Sequence, residues 1–329
     1  MNSQACNQLL MPMTAAEMLE NFCKVLPKHV TLIEVGLRDG LQFEEKIVPT
    51  LLKREIVLRL AAAGFKHIQV ASFVHPGKVP QMADAEKLIS ALSGISGVAF
   101  NALALNMAGV ERAISSHLTH IEVSVSASNR HSLNNTGMHA EAALKTGLRM
   151  VDLSKRRGMQ VRAGIQCAFG SGYDEIISED QIVAAVKDLV AAGADMLCLA
   201  DTTGMATPIS VHRLVCAVMP YVGNLPVVLH LHDTRGLGLV NVMAALSCGI
   251  THFDTAIAGM GGCPFIPGAA GNIATEDTLY LLSSLNIETG LNLSKIAACS
   301  RDMELFFEKR FPGKVYRHAA MREEKHHAQ

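Results

Sequence analysis

The 329-residue chain contains no tryptophan, and aromatic residues make up only 5% of it. Stacking platforms for single-stranded nucleic acid are therefore not expected. Neither sign of charge dominates: 29 Lys and Arg stand against 30 Asp and Glu, a formal net charge of −1. That removes the electrostatic footprint of a nucleic-acid or anionic-membrane binder. No apolar run reaches the roughly 18 residues needed to cross a bilayer. No Lys or Arg precedes Lys24, so neither a secretory signal nor an Arg-rich mitochondrial leader is read. A cytoplasmic protein is expected. None of the eight cysteines forms a C-x-x-C pair, and most lie in apolar runs. They read as small buried hydrophobes in a reducing compartment, with Cys263 as the exception.

What is present is apolar material in many short pieces. Hydrophobic residues make up 49% and charged residues 18%, which excludes a disordered chain. Eight β-type runs recur at intervals of about 30 residues, the size of a βα unit. They are Thr31–Arg38, His67–Phe73, Val98–Leu105, His120–Ser126, Gln160–Ala168, Ala194–Asp201, Pro226–His232 and His252–Ala258. Helical patterns fill the intervals. Thr50–Ala63 ends at Gly64, and Ser178–Ala192 starts with a capping Ser followed by acids. Eight strands alternating with helices predict an α/β fold, a (β/α)8 TIM barrel, with a doubly wound open sheet as the alternative. No linker divides the chain, so residues 1–329 are expected to be a single domain. Its barrel core runs from about 30 to 290, with helical additions at both ends and a polar tail from 317.

Barrel active sites lie where strands end and βα loops begin. Strand one ends in Arg38-Asp39-Gly40, and strand two carries Gln69 and Ser72. Strand six ends in Asp201-Thr202-Thr203-Gly204, and strand seven in His230-Leu231-His232-Asp233. His230 and His232, two apart on a strand, face one side, with Leu229 and Leu231 toward the helices. Two inward imidazoles with Asp39 as carboxylate are the pattern of a divalent-metal site. Arg38 reads either as an oxyanion-stabilising guanidinium or as a structural ion pair. The loop Gly259–Asn272 holds five glycines and one thiol, Cys263, placed for acid/base or nucleophilic work over the mouth. His29, His67, His117, His120 and His252, at element boundaries, are expected to be solvated.

At these residues the sequence resembles a known family. E-V-G-x-R-D-G-L-Q (Glu34–Gln42), A-S-F-V-x-P and V-P-Q-M (Ala71–Met82), D-T-x-G (Asp201–Gly204) and H-x-H-D-T-x-G (His230–Gly236) carry the likeness. So does A-G-x-G-G-C-P-x-x-x-G-A-x-G-N-x-A-T-E-D (Ala258–Asp277). Together they resemble 3-hydroxy-3-methylglutaryl-CoA lyase, one of the TIM-barrel metallolyases, in order from about Val30 to Leu291. The resemblance implies a (β/α)8 barrel, a divalent metal (Mg²⁺ or Mn²⁺), an acyl-CoA substrate and a homodimer. It implies metal ligation by Asp39, His230, His232 and Asn272, and catalytic roles for Arg38, Asp201 and Cys263. Arg38, Gln42, Gln69, Ser72 and Thr203 are the candidate substrate contacts. The implied reaction is retro-Claisen cleavage of the thioester to acetyl-CoA and a keto acid.

This sequence departs from the family at four places. Gln69 stands where the lyases carry Glu, Phe43 where they have a polar Asn, and Cys198 where they often have Ser; Ser126–Met138 diverges. The departures keep other readings open: a lyase for a related 3-hydroxyacyl-CoA such as citramalyl-CoA, a condensing synthase of the isopropylmalate-synthase type, or a non-catalytic CoA-binding barrel.

Overall fold

The computed structural model describes residues 26–262 and 270–318. Eight parallel strands close on themselves in sequence order. They are β1 (Thr31–Glu34), β2 (His67–Ser72), β3 (Ala99–Ala104), β4 (His120–Ser126), β5 (Gln160–Gln166), β6 (Met196–Ala200), β7 (Val227–His230) and β8 (His252–Thr255). The closing pair is β1 with β8, in register from Thr31↔His252 to Glu34↔Thr255. The open-sheet alternative is thereby excluded.

The outer layer holds α1 (Thr50–Ala62), α2 (Ala85–Ala91), α3 (Met107–Ser115), α4 (Asn129–Thr136) and α5 (Ala140–Arg156). It continues with α6 (Glu179–Ala191), α7 (Pro208–Val222), α8 (Gly238–Ser247) and α9 (Thr275–Ser284). A further helix, α10 (Leu293–Phe307), lies in the expected C-terminal extension. The expected N-terminal helical addition up to residue 25, and the tail beyond 318, lie outside the described residues. The local signals act as read. Ser178 Oγ accepts from Gln181 N at 3.2 Å, capping α6. Gly64 has φ +112°, and a Cβ there would stand 2.4 Å from the Gly290 carbonyl oxygen, so only glycine fits.

The main core lies between sheet and helices. On β4, Ile121, Val123 and Val125 face outward into it, so the alternate residues Glu122, Ser124 and Ser126 face the barrel axis. The axis is lined partly by a small apolar group, Ile33, Val35, Cys198 and Val228. The rest of it is polar.

Three strand expectations are corrected at their C-terminal ends. β1 stops at Glu34 rather than Arg38. The chain then folds into a π-type turn, Gly36–Gly40, whose amides return to the Val35 carbonyl, from Asp39 N at 2.8 Å and Arg38 N at 3.0 Å. Close packing selects its glycines. A Cβ on Gly36 would meet Glu34 Oε1 at 2.6 Å, and one on Gly40 would meet Met260 Cβ at 2.8 Å. β7 stops at His230, with His232 in an isolated antiparallel bridge to Asn272. β8 gives way after Thr255 to a 3-10 turn, Ile257–Gly259. His67, His120 and His252 are half-buried at strand starts rather than solvated, and burial lowers the pKa of each.

Candidate active site at the barrel mouth

A cavity of about 620 Å³ opens at the C-terminal end of the strands. Arg38, Asp39, His230 and His232 line it, and Gln42, Phe43 and Ser72 form part of its wall. The turn after β1 brings Arg38 and Asp39 to the same cavity, which strict strand alternation would have kept apart. Both are buried.

Asp39 is the hub. Its Oδ1 accepts from an Arg38 guanidinium N–H and from Gln42 Nε2, the latter at 2.9 Å. Its Oδ2 accepts from Asn272 Nδ2 at 2.8 Å and lies 3.7 Å from His230 Nε2 and 3.8 Å from His232 Nε2. Burial works to raise the Asp39 pKa, but Arg38 and the two imidazoles outweigh it and hold the carboxyl well below its ordinary range. It is a fixed anion at neutral pH.

The imidazoles converge. His230 Nε2 and His232 Nε2 are 3.1 Å apart, and His230 Nδ1 is 3.0 Å from Asp254 Oδ2. A carboxylate can only accept, so His230 carries its proton on Nδ1 and turns the Nε2 lone pair toward the mouth. Asp254 is fully buried and is itself clasped by Arg162, whose Nη1 is 2.8 Å from Oδ1. Burial pushes the Asp254 carboxyl up, and Arg162 pulls it down further, leaving it below the ordinary range.

The donor set fits a divalent cation. Asp39, His230 and His232 offer one ligand atom each, all within 4.8 Å of one another. Asn272 Oδ1 is buried without a hydrogen-bond partner. Buried polar atoms rarely stay unpaired unless something else meets them. Two nitrogens with carboxylate and amide oxygens suit an intermediate-to-hard metal, supported from behind by the His230–Asp254 contact.

The remaining candidates divide. Ser72 lines the cavity, and its Oγ is buried and unpartnered. Asp201 lies outside the wall: its Oδ1 accepts from Met205 N at 2.8 Å and Ala206 N at 3.0 Å, while Oδ2 is buried without a partner. Burial raises the Asp201 pKa against the pull of both imidazoles. Gln69 is fully buried behind Arg38 rather than in the cavity wall. Thr203 is buried too and donates to the Gly170 carbonyl at 3.1 Å, outside the wall. Cys263 lies outside the described residues. Cys198, expected to be packing, faces the cavity and meets Arg162 Nη2 at 2.9 Å.

Three interior residues were not singled out from sequence: Glu122, Arg162 and Asp254. A signal existed. H-I-E-V-S-V-S on β4, Arg162-x-Gly164-x-Gln166 on β5 and His252-x-Asp254 on β8 each place polar or small residues at alternate positions. On a strand whose other face packs against helices, that alternation marks a polar barrel interior.

A closed parallel barrel with imidazoles, a carboxylate and a guanidinium converging at its C-terminal mouth defines a TIM barrel whose mouth gathers side chains able to hold a metal ion. Residues 29–303 match the HMGL-like family, and the chain belongs to it. It is 37% identical to the mitochondrial hydroxymethylglutaryl-CoA lyase of Arabidopsis thaliana, over 84% of this chain but only 59% of that protein. It is 38% identical to the 3-hydroxy-3-isohexenylglutaryl-CoA/hydroxymethylglutaryl-CoA lyase of Pseudomonas aeruginosa, over 82% of this chain and 89% of that one. A solved HMG-CoA lyase from Acinetobacter baumannii, in complex with coenzyme A and 3-methylmalate, superposes with a TM-score of 0.84. It is 33% identical and covers 88% of this chain and 95% of its own.

Proposed function

We propose that this chain is a carbon–carbon lyase that cleaves a 3-hydroxy-3-methylglutaryl-CoA-like thioester to acetyl-CoA and a keto acid. The observation that carries the reading is the convergence of Arg38 with Asp39, His230 and His232 on one cavity. Asp39, His230, His232 and Asn272 hold the cation, Mg²⁺ or Mn²⁺. A divalent metal there supplies acidity to the substrate's tertiary hydroxyl.

The side chains do the rest. Asp201 assists removal of the hydroxyl proton from behind the cavity wall, through Oδ2, the oxygen with no other partner. The C–O⁻ electron pair becomes the new ketone, the C2–C3 bond breaks, and its electrons pass into the thioester as an enolate. Arg38 faces the enolate oxygen, with its guanidinium already fixed by Asp39 and Gln69. Cys263 delivers a proton to the enolate carbon, giving acetyl-CoA. Gln42 and Ser72 line the acyl end. Phe43, Val74, Val79 and Leu103 add an apolar wall, which favours including longer-branched acyl groups among the substrates tried.

The test is a panel of 3-hydroxyacyl-CoA thioesters with Mg²⁺ or Mn²⁺, following acetyl-CoA release. Cleavage of none of them overturns the reading. Consumption of acetyl-CoA with a 2-oxo acid would make the chain a condensing enzyme instead. Among the described residues no helix is long and apolar enough to cross a membrane. A cytoplasmic homodimer is the accompanying expectation, checked by cell fractionation and light scattering.

A further inference from the structure

We infer that Gln69 and Glu122 act as one ordered pair, amide then carboxylate, that positions Arg38; the inference rests on the lyase reading. Gln69 Oε1 accepts from Arg38 Nε. Its Nε2 donates to Glu122 Oε2 at 2.7 Å and to Asn101 Oδ1 at 2.8 Å. Every polar atom of the amide thus has a partner of the correct sense: an amide accepts on one side and donates on the other, whereas an ionised carboxylate only accepts. A carboxylate at position 69 would set an oxygen against two acceptors, one of them charged. Gln69 is therefore matched to Glu122.

Room for Glu122 is also built in. A Cβ on Gly164 would stand 2.9 Å from Glu122 Oε1. Glu122 pairs with Arg162 Nε at 3.2 Å, and Arg162 clasps Asp254, which orients His230. The pair therefore closes a buried chain from the guanidinium to the imidazole. The negative charge missing at position 69 is present two strands away, on β4.

The test is a swap measured on the full-length protein. Gln69→Glu should lower kcat by roughly 10²-fold, the cost of misplacing a group by about 1 Å, with KM changed less than about threefold. Glu122→Gln should also lower kcat. The double variant Gln69→Glu/Glu122→Gln should recover to within about tenfold of the native rate, because an accepting and a donating group again face each other. Native-level activity in Gln69→Glu, or a double variant no better than that single one, overturns the inference. Melting temperatures of the same four proteins carry the test without activity. Non-additive losses, with the double variant regaining stability, support the pair, and additive losses reject it. A native protein that cleaves no thioester but shows this coupling fails the lyase reading alone.

A separate observation points to a second ligand site on the outer layer. His212 and Cys216 lie one turn apart on α7, and Cys248 caps the end of the neighbouring α8. Cys216 Sγ is 3.9 Å from His212 Nε2, and one ligand atom from each of the three lies within 4.8 Å of the others. Around a tetrahedral zinc ion such donors stand about 3.5–3.8 Å apart, so small side-chain rotations close the set. We propose that these three residues bind a soft divalent cation of the Zn²⁺ class, clipping α7 to α8. Two thiols and an imidazole do not suit Mg²⁺ or Mn²⁺.

Equilibrate the reduced protein with Zn²⁺, desalt it, and count metal per chain. Cys216→Ser and Cys248→Ser should each lose one equivalent relative to native and keep the native cleavage rate. Unchanged zinc content in both variants overturns the site. So does a native protein that loses two free thiols as a Cys216–Cys248 disulfide under mild reductant.

Discussion

Among the described residues two groups of side chains could hold a metal ion, and they are built in opposite ways. Asp39, His230 and His232 are buried at the barrel mouth, while His212 and Cys216 are exposed and Cys248 is half-buried on the helical layer. The inner group uses oxygen and nitrogen, the outer one sulfur and nitrogen. The inner ligands are held from behind: Asp254 fixes the tautomer of His230, Arg162 fixes Asp254, and Arg38 and Gln42 fix Asp39. The outer group rests on the one-turn spacing of His212 and Cys216 and on the packing of α8 against α7. Outer partners of this kind raise ligand basicity and orientation, so the inner group is prepared for chemistry and the outer for little more than a clip.

The sharpest way to break the contrast is to delete an inner ligand. Asp39→Ala removes the charge that both imidazoles and Arg38 face. It should lower kcat by roughly 10³-fold or more, with loss of Mn²⁺ binding by calorimetry. Retained Mn²⁺ binding would place the metal elsewhere. The next effect tests the support rather than the ligand. Asp254→Asn keeps the shape but removes the charge behind His230, and should weaken Mn²⁺ affinity by roughly 10–100-fold. An unchanged affinity would show that the inner ligands need no more support than the outer ones.

The two groups were also unequally legible in the sequence. H-x-H on a strand announces itself, because a period of two puts both rings on one face. Asp39 was read for the right cavity on the wrong backbone: a strand cannot turn Arg38 and Asp39 the same way, and the π-type turn does. Gln69 stood out only as a departure from the family's Glu, because one position shows nothing of its partner on another strand. Glu122 lies 53 residues away and meets it only once the barrel closes. The outer group hid for a different reason. Cysteines in apolar runs usually pack inward, yet Cys216 falls on the exposed side of α7, and Cys248 meets it only through helix packing.

The smallest effect concerns the scaffold under the inner group. Glu34 is fully buried; its Oε1 accepts from Gly36 N at 2.8 Å and Ile257 N at 3.0 Å, tying the Arg38–Asp39 turn to the end of β8. Burial pushes its pKa up from 4.5 to about 8, against the pull of its hydrogen bonds from Ile257, Thr275 and Gly36. A raised folded pKa means the native state holds this proton more tightly than the unfolded chain does. Below about pH 4.5 both states are protonated and the group's stabilising contribution is complete; it is lost as pH rises through about 8. The unfolding free energy from urea titrations should therefore decline across that window, and Glu34→Gln, which keeps the shape without the titration, should flatten the decline. Glu276, raised to about 7 chiefly by burial, contributes in the same direction, so the decline should flatten in the single variant and flatten further in Glu34→Gln/Glu276→Gln. A slope unchanged in the double variant would remove both acids from the account. The zinc content of the outer group should stay constant in these variants, because its anchors lie on α7 and α8 and not on the turn that Glu34 holds.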